Sequence, residues 1–373
     1  MKVLHICNNF FGTEVHFKLY KKLVKQDVEQ DIYCPISDIK QIGNYHFDAD
    51  GVQIIYDNVI KPFHRFFYHI KRAEMFRSLQ KKVHLNSVSL CHAATLFTDG
   101  GQAYMIWKKH QIPYVVAVRN TDINGFLDIR PETWKAGIKI LKNAQQIFFI
   151  SQGLMDKFCN HRVIKPVLPE IKEKMLLIPN GIDDYYLDHI CTDTHPGNDV
   201  LYVGDFSNNK NVVRLAQAIL ELKKENGFDD IKLTLVGGGH NETNQVQQVV
   251  DANPGVFEYL GPIYDKEKLC EVFRAHSIFA MPSIHETFGL VYLEALSQGL
   301  PVLYTQGQGV DGLLPPDAGI GVNPLSVEEI KNALRTLLIQ RSEFSNRNIN
   351  FEHYRWSNIA TTYKDIYKEI TIK

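Results

Sequence analysis

Short runs of β-branched and aromatic residues alternate along this chain with longer segments of helical periodicity, and the alternation recurs from end to end. Such a pattern predicts repeated strand–helix–strand units and therefore parallel sheets. In the first half the strands are read at Val3–Cys7, Asp31–Cys34, Gln53–Tyr56, Val88–His92, Tyr114–Val118, Gln146–Ile150 and Met175–Ile178. The turn formers Pro179-Asn180-Gly181-Ile182-Asp183-Asp184 cannot continue a regular element, and a polar stretch, Thr192–Asn198, follows them. Strands resume at Val200–Val203, Lys232–Val236, Val256–Leu260, Ile278–Met281, Val302–Tyr304 and Gly319–Val322. Two runs of roughly six strands predict an α/β protein of two Rossmann-like domains facing each other. A last helix is read from about Ser357 to Ile370, with Ile359, Tyr363, Ile366, Tyr367 and Ile370 forming its apolar side.

The 373 residues are enough for two domains that each bury a core. With 41 Lys and Arg against 42 Asp and Glu, the net charge of -1 argues against a nucleic-acid partner held by bulk electrostatics. Cys7, Cys34, Cys91, Cys159, Cys191 and Cys270 are dispersed, with no CxxC pair and no metal-ligand spacing, so a cytosolic protein with reduced thiols and no metal is expected. No apolar run approaches the roughly 18 residues of a membrane span. The opening MKVLHICNNF reads as a strand and not as a signal peptide.

The chemistry concentrates between Ser277 and Val302. A buried strand ends at Pro282-Ser283, a loop carries Glu286 and Phe288-Gly289, and a helix runs from about Leu290 to Gln298 before Gly299 and Pro301 stop it. Ligands of parallel α/β sheets bind outside the carboxyl ends of the strands, where helix N-termini offer free N–H groups to an anion. Gly289 would let a diphosphate approach the backbone closely. Glu286, on the loop, is expected to face the cleft mouth, whereas Glu294 lies one turn into an apolar helix, suited to accept two hydrogen bonds from vicinal sugar hydroxyls. The run Gly237-Gly238-Gly239 lacks the third glycine of a dinucleotide fingerprint and is read as a strand-to-loop turn.

This segment resembles the E-x7-E signature of the retaining GT-B glycosyltransferases of family 4. Further pieces recur in that family's order: Ile178-Pro179-Asn180-Gly181-Ile182-Asp183, Tyr202-Val203-Gly204 with Lys210-Asn211, Leu235-Val236-Gly237-Gly238-Gly239, Leu260-Gly261-Pro262, and Tyr354-x-Trp356-x-x-Ile359. The resemblance implies the GT-B fold with a central cleft, an acceptor-binding domain over 1–180, a nucleotide-sugar-binding domain over 181–352, and a crossover helix over 353–373 packing back on the first. By the same resemblance Glu294 would bind the donor ribose, Glu286 a sugar hydroxyl, and the Phe288-Gly289-Leu290 backbone the sugar and diphosphate. Lys210, after Gly204, would neutralise the leaving diphosphate, and the backbone at Gly261 would edge the base. The implied activity moves a sugar, with retention and without a metal or other cofactor, from a nucleotide-diphosphate sugar to a glycan or lipid-linked acceptor in surface polysaccharide synthesis.

Some positions depart from the family. Asp205 stands where relatives commonly carry Arg, and Arg119 where many have His. A guanidinium cannot shuttle protons but can stabilise a developing anion, so Arg119 takes an electrostatic role. Asp122 could hold Arg119, bind acceptor or cap the next helix. His92 matches a recurrent family His, although a strand-end His is commonly structural. In the loop Asn8-Asn9-Phe10-Phe11-Gly12-Thr13, only Gly12 of the family's glycine loop remains, under the acceptor and reacting sugar. Over residues 61–84, seven basic residues interleave with Phe63, Phe66, Phe67, Tyr68, Ile70 and Phe76. The stretch suggests peripheral contact with the inner face of the cytoplasmic membrane, or simply a core face with a solvated basic face. A GT-B epimerase, or a non-catalytic nucleotide-sugar-binding subunit, is the competing reading.

Overall fold

The computed structural model describes residues 1–43, 45–193 and 195–372. Asn44, Thr194 in the polar stretch and Lys373 at the end of the last helix lie outside the described residues. Among the described residues, the first-half strands are β1 (Lys2–Ile6), β2 (Glu29–Ile36), β3 (Val52–Asn58), β4 (Leu90–Ala93), β5 (Tyr114–Ala117), β6 (Ile147–Phe149) and β7 (Met175–Leu177). The later ones are β8 (Asp199–Gly204), β9 (Lys232–Gly237), β10 (Phe257–Gly261), β11 (Ile278–Ala280), β12 (Val302–Thr305) and β13 (Gly319–Val322). Each overlaps a strand read from sequence, with ends moved by a residue or two. They form two parallel sheets, in the orders β3-β2-β1-β4-β5-β6-β7 and β10-β9-β8-β11-β12-β13. Both orders reverse direction beside their first strand, as in doubly wound nucleotide-binding folds.

The chain divides into two compact units. One contains Met1–Ile150, Leu154–Asn180 and the segment from Trp356 on; the other contains Ser151–Gly153 with Gly181–Arg355. The first unit therefore takes its last helix, Trp356–Ile372, from the far end of the sequence. Trp356, Ile359, Ala360, Tyr363 and Tyr367 of that helix are buried in one cluster with Leu19, Tyr20 and Leu23 of the helix Glu14–Val24 and with β1, β2 and β4. Burying side chains of this size contributes roughly 1.5–3 kcal/mol each. The amide of Gln26 ties the seam by donating to the Ser357 carbonyl and the Thr361 hydroxyl, both at 2.9 Å.

The basic stretch resolves into a 3-10 turn, Pro62–Arg65, and a helix, Tyr68–Lys82. It is split in character. Tyr68, Met75, Phe76 and Leu79 are buried core residues, whereas Phe63, Phe66, Phe67 and Ile70 are exposed.

In the second unit Gly204 of β8 pairs with Gly237 of β9. A Cβ at Gly237 would come within 1.9 Å of the Gly204 carbonyl oxygen, and Gly237 has φ +124°, so both space and backbone demand glycine there. Replacing Gly237 by Ala should lower stability by about 2–4 kcal/mol in urea unfolding, given the size of comparable strain and clash costs. An unchanged midpoint would contradict this close approach.

Candidate functional site

The loops that follow β8, β11 and β12 at the carboxyl end of the second sheet meet at one corner. After β8 a 3-10 turn, Asn208–Lys210, is laced to the loop after β11. The Ile284 and His285 amides donate to the Asn209 carbonyl and side-chain oxygens at 2.7 and 3.0 Å, and the Asn209 amide returns a bond to the His285 carbonyl at 2.9 Å. This lacing sets Lys210 against Glu286, with Nζ to Oε2 2.8 Å and both side chains largely buried. The Glu286 backbone N–H donates to the side chain of Gln308, from the loop after β12, at 2.9 Å, and Gln308 donates in turn to the Ile284 carbonyl at 3.1 Å. The other carboxylate oxygen of Glu286 accepts from the Thr287 N–H at 3.0 Å, and the Ser151 hydroxyl holds the Thr287 carbonyl at 2.9 Å.

Asn211 closes the corner from behind. It has φ +62°, and its amide donates to the carbonyls of Pro282 and Pro324 at 2.9 and 2.7 Å, joining the ends of β8, β11 and β13. Gly289, at φ +79°, caps the helix Leu290–Ser297, and a Cβ there would strike the Tyr292 ring at 2.4 Å. Phe288 is buried, and Leu290 opens the helix, whose first N–H groups lack helical partners. Glu294 is half-buried one turn on. Its charge adds to the burial that pushes the Cys270 thiol up to about 11 and the Tyr186 phenol well up, so its carboxylate lies near both. Gly261 ends β10. Asp205 folds its own loop: its carboxylate accepts from the Ser207 N–H at 3.0 Å. Lys210, Glu286 and the helix N-terminus thus assemble around one point that can take up an anion and hydrogen-bond a hydroxyl.

The candidates of the first unit sit at the carboxyl ends of its own strands. The buried Asp122 carboxylate accepts from the backbone N–H groups of Leu96 (3.0 Å), Phe97 (3.1 Å) and Arg119 (2.9 Å). It clamps the loops after β4 and β5, and burial raises it to about 6 against the pull of those donors. Arg119 donates from Nε to the Ala94 carbonyl at 3.2 Å. Asp99, which the sequence reading did not single out, is wholly buried and raised by desolvation to about 8. It accepts from the Thr95 hydroxyl at 2.9 Å and from the Asn8 N–H at 3.2 Å, anchoring the N-terminal loop whose Gly12 N–H donates to the Asn9 carbonyl. His92 is buried, its Nδ1 is 2.6 Å from the Tyr367 hydroxyl, and its ring stacks on Tyr363. These surroundings favour a structural role. Asn209, Gln308 and Ser151 also escaped the sequence reading, since polar side chains in loops carry no periodic signal.

Two parallel doubly wound units, the second with its polar corner at the strand ends, define a GT-B-type architecture. The family profile described as "Glycosyl transferases group 1" matches residues 197–340, and that described as "Glycosyltransferase Family 4" matches 12–185. The chain belongs to this glycosyltransferase family. It is 22% identical to an uncharacterized glycosyltransferase, MJ1607, of Methanocaldococcus jannaschii, over 96% of this chain and 94% of that protein. It is 26% identical to the putative teichuronic acid biosynthesis glycosyltransferase TuaC of Bacillus subtilis, over 66% of this chain and 60% of TuaC. To the sulfoquinovosyl transferase SQD2 of Arabidopsis thaliana it is 34% identical, over 33% of this chain and 24% of SQD2's length. A sucrose-phosphate synthase structure from Thermosynechococcus elongatus shares the fold, with a TM-score of 0.74 at 17% identity and 99% coverage of both chains. These relatives do not favour the epimerase or the non-catalytic reading.

His5, His16 and His92 are all buried and all held below their usual value of 6.5, chiefly by desolvation, His92 to about 3. Below about pH 6.5 the unfolded chain therefore gains three protons that the folded unit refuses. Asp99 and Asp122 act oppositely, keeping protons below about 8 and about 6 that the unfolded chain holds only below 3.8. From this cluster, stability should peak near pH 6.5, fall as the pH drops because the unfolded chain takes up more protons than the folded unit, and fall faster below about pH 4, where the acids no longer compensate. Urea unfolding followed from pH 8 to 3 measures this, and a flat acid limb would refute it.

Proposed function

We propose that the protein is a retaining, metal-independent glycosyltransferase that moves a sugar from a nucleotide-diphosphate donor held by its second unit to a glycan or lipid-linked acceptor received by its first. The observation that carries this reading is the Lys210–Glu286 pair, 2.8 Å apart and braced by Asn209 and Gln308 beside the N-terminus of the helix Leu290–Ser297. When a donor enters, Lys210 exchanges one Glu286 oxygen for a diphosphate oxygen. The released carboxylate then accepts a hydrogen bond from a sugar hydroxyl, and Glu294 takes the ribose. As the glycosidic bond breaks, negative charge grows on the diphosphate, where the lysine and the helix N-terminus supply fixed positive charge. Arg119 adds electrostatic support, and a donor phosphate oxygen receives the acceptor's proton on the face from which the leaving group departs. TuaC's assignment to teichuronic acid biosynthesis supports a surface polysaccharide as product.

Lys210→Ala should lower kcat/KM by about 10²–10³, the size of a lost transition-state charge contact. Glu294→Ala should weaken donor binding by about ten-fold or more, with Arg119→Ala acting on turnover and leaving donor affinity nearly unchanged. Titration of UDP-, GDP- and ADP-sugars with parallel turnover assays separates these effects. Equal losses of affinity and turnover in the Glu294 and Arg119 variants would reject the division of roles.

For the acceptor side, Phe63, Phe66, Phe67 and Ile70 are exposed beside Lys61, Arg65 and Arg72, with the Arg65 guanidinium over the Phe66 ring at 4.6 Å. Exposed aromatics rimmed by bases suit an anionic lipid interface. No helix among the described residues is long and apolar enough to cross a membrane. Flotation with anionic vesicles should recover the protein, and replacing Phe66 and Phe67 by Ser should reduce recovery several-fold. Recovery independent of anionic lipid would dismiss the membrane contact.

A further inference from the structure

The second unit also contains a buried cation that meets no counter-charge among the described residues. Arg341, in the 3-10 turn Arg341–Glu343 after the helix Val327–Ile339, is only 9% exposed. Its Nε, Nη1 and Nη2 are all buried and find no acceptor among the described residues. Desolvation lowers the guanidinium only to about 10, so it stays charged at neutral pH. An uncompensated interior charge is strongly disfavoured, and other buried acids here take hydrogen-bonding or ionic partners. The buried Asp57, for example, meets Lys82 at 3.0 Å.

What surrounds Arg341 suits a missing anion. It lines a pocket of about 180 Å³ together with Arg347, Ser342, Ser345 and Thr192. That volume is several times the ~30 Å³ that one water occupies, leaving room for a tetrahedral oxyanion. The Ser345 hydroxyl oxygen accepts from the Arg347 N–H at 3.0 Å, which leaves its proton free to donate to a ligand. The adjoining acid, Asp317, is engaged elsewhere: its carboxylate accepts from Asn348 at 2.6 Å and its carbonyl from the Ser345 N–H at 2.8 Å. Gly299, also in the lining, precedes β12, and Asp317 precedes β13. The pocket therefore lies at the amino ends of these strands, opposite the corner that holds Lys210 and Glu286.

We infer that this pocket is a second anion site, taking a phosphate-class oxyanion, free or as a monoester, with the planar fork of Arg341 as its principal donor. The site is independent of the donor corner and stands or falls separately from the activity proposed above.

The test is calorimetric titration and thermal unfolding with inorganic phosphate and with glycerol 3-phosphate, against sodium chloride at matched ionic strength. The unaltered protein should show saturable binding and stabilisation, and the tighter of the two probes tells a free oxyanion from an esterified one. Arg341→Met should weaken that binding by about ten-fold or more, and Arg347→Gln by a smaller factor. Lys210→Ala should retain it, which distinguishes this pocket from the diphosphate corner. In phosphate-free buffer Arg341→Met should unfold no lower than the unaltered protein, because the change removes an unpaired charge. Absence of saturable binding, its persistence in Arg341→Met, or failure of Arg341→Met to fold without phosphate would each overturn the inference.

Discussion

Parallel strands all point the same way, and each must be followed by a crossover before the next can pair. In each unit that constraint gathers the loops after every strand at one end of the sheet. In the second unit the loops after β8, β11 and β12 interlock there through Asn209 and Gln308, with Asn211 reaching the end of β13. Lys210 and Glu286 are separated by 76 residues in sequence and meet only because β8 and β11 are neighbours in the sheet. The ion pair is a product of topology, and its braces are mostly amide side chains bonded to backbone. Such bonds hold a loop without adding charge to a site that must receive charge.

The first unit uses its strand ends differently. Buried titratable groups, Asp99, Asp122, His5, His16 and His92, are concentrated around the ends of β1, β4 and β5 and beneath the N-terminal loop. Asp122 and Asp99 serve backbone N–H groups, which makes them clamps on loops that must keep a shape without regular structure. The cost is a set of displaced proton affinities that ties this unit's stability to pH.

The two departures from the family pattern acquire physical meanings in this setting. Asp205 turns its carboxylate onto the following backbone, so it adds a fold to the loop and no cation to the corner. The Arg119 backbone is locked by Asp122 and its guanidinium by the Ala94 carbonyl, and its charge helps to depress His16 and His92. An arginine held in this way can present a fixed field but cannot exchange a proton, consistent with an electrostatic part in the chemistry.

The strands were legible because burial on both faces leaves near-continuous runs of Val, Ile, Leu and Phe between turn formers, a local signal that needs no knowledge of partners. The Glu286–Glu294 spacing and the start of the helix at Leu290 were legible for the same reason, being contained within one loop and one helix. Contacts between distant segments leave no such local signal, and only the family resemblance implied that the last helix returns to the first unit. Lys210 against Glu286, Asn8 against Asp99, and the last helix against Glu14–Val24 join positions whose proximity only the completed sheets create. Nor could the sequence divide the basic stretch into a buried half at Tyr68 and Phe76 and an exposed half at Phe66 and Phe67, or mark Arg341 as a buried cation. Burial is a property of what packs against a residue. Local order was set by the chain alone, whereas the electrostatic environment of each charge was decided by tertiary packing.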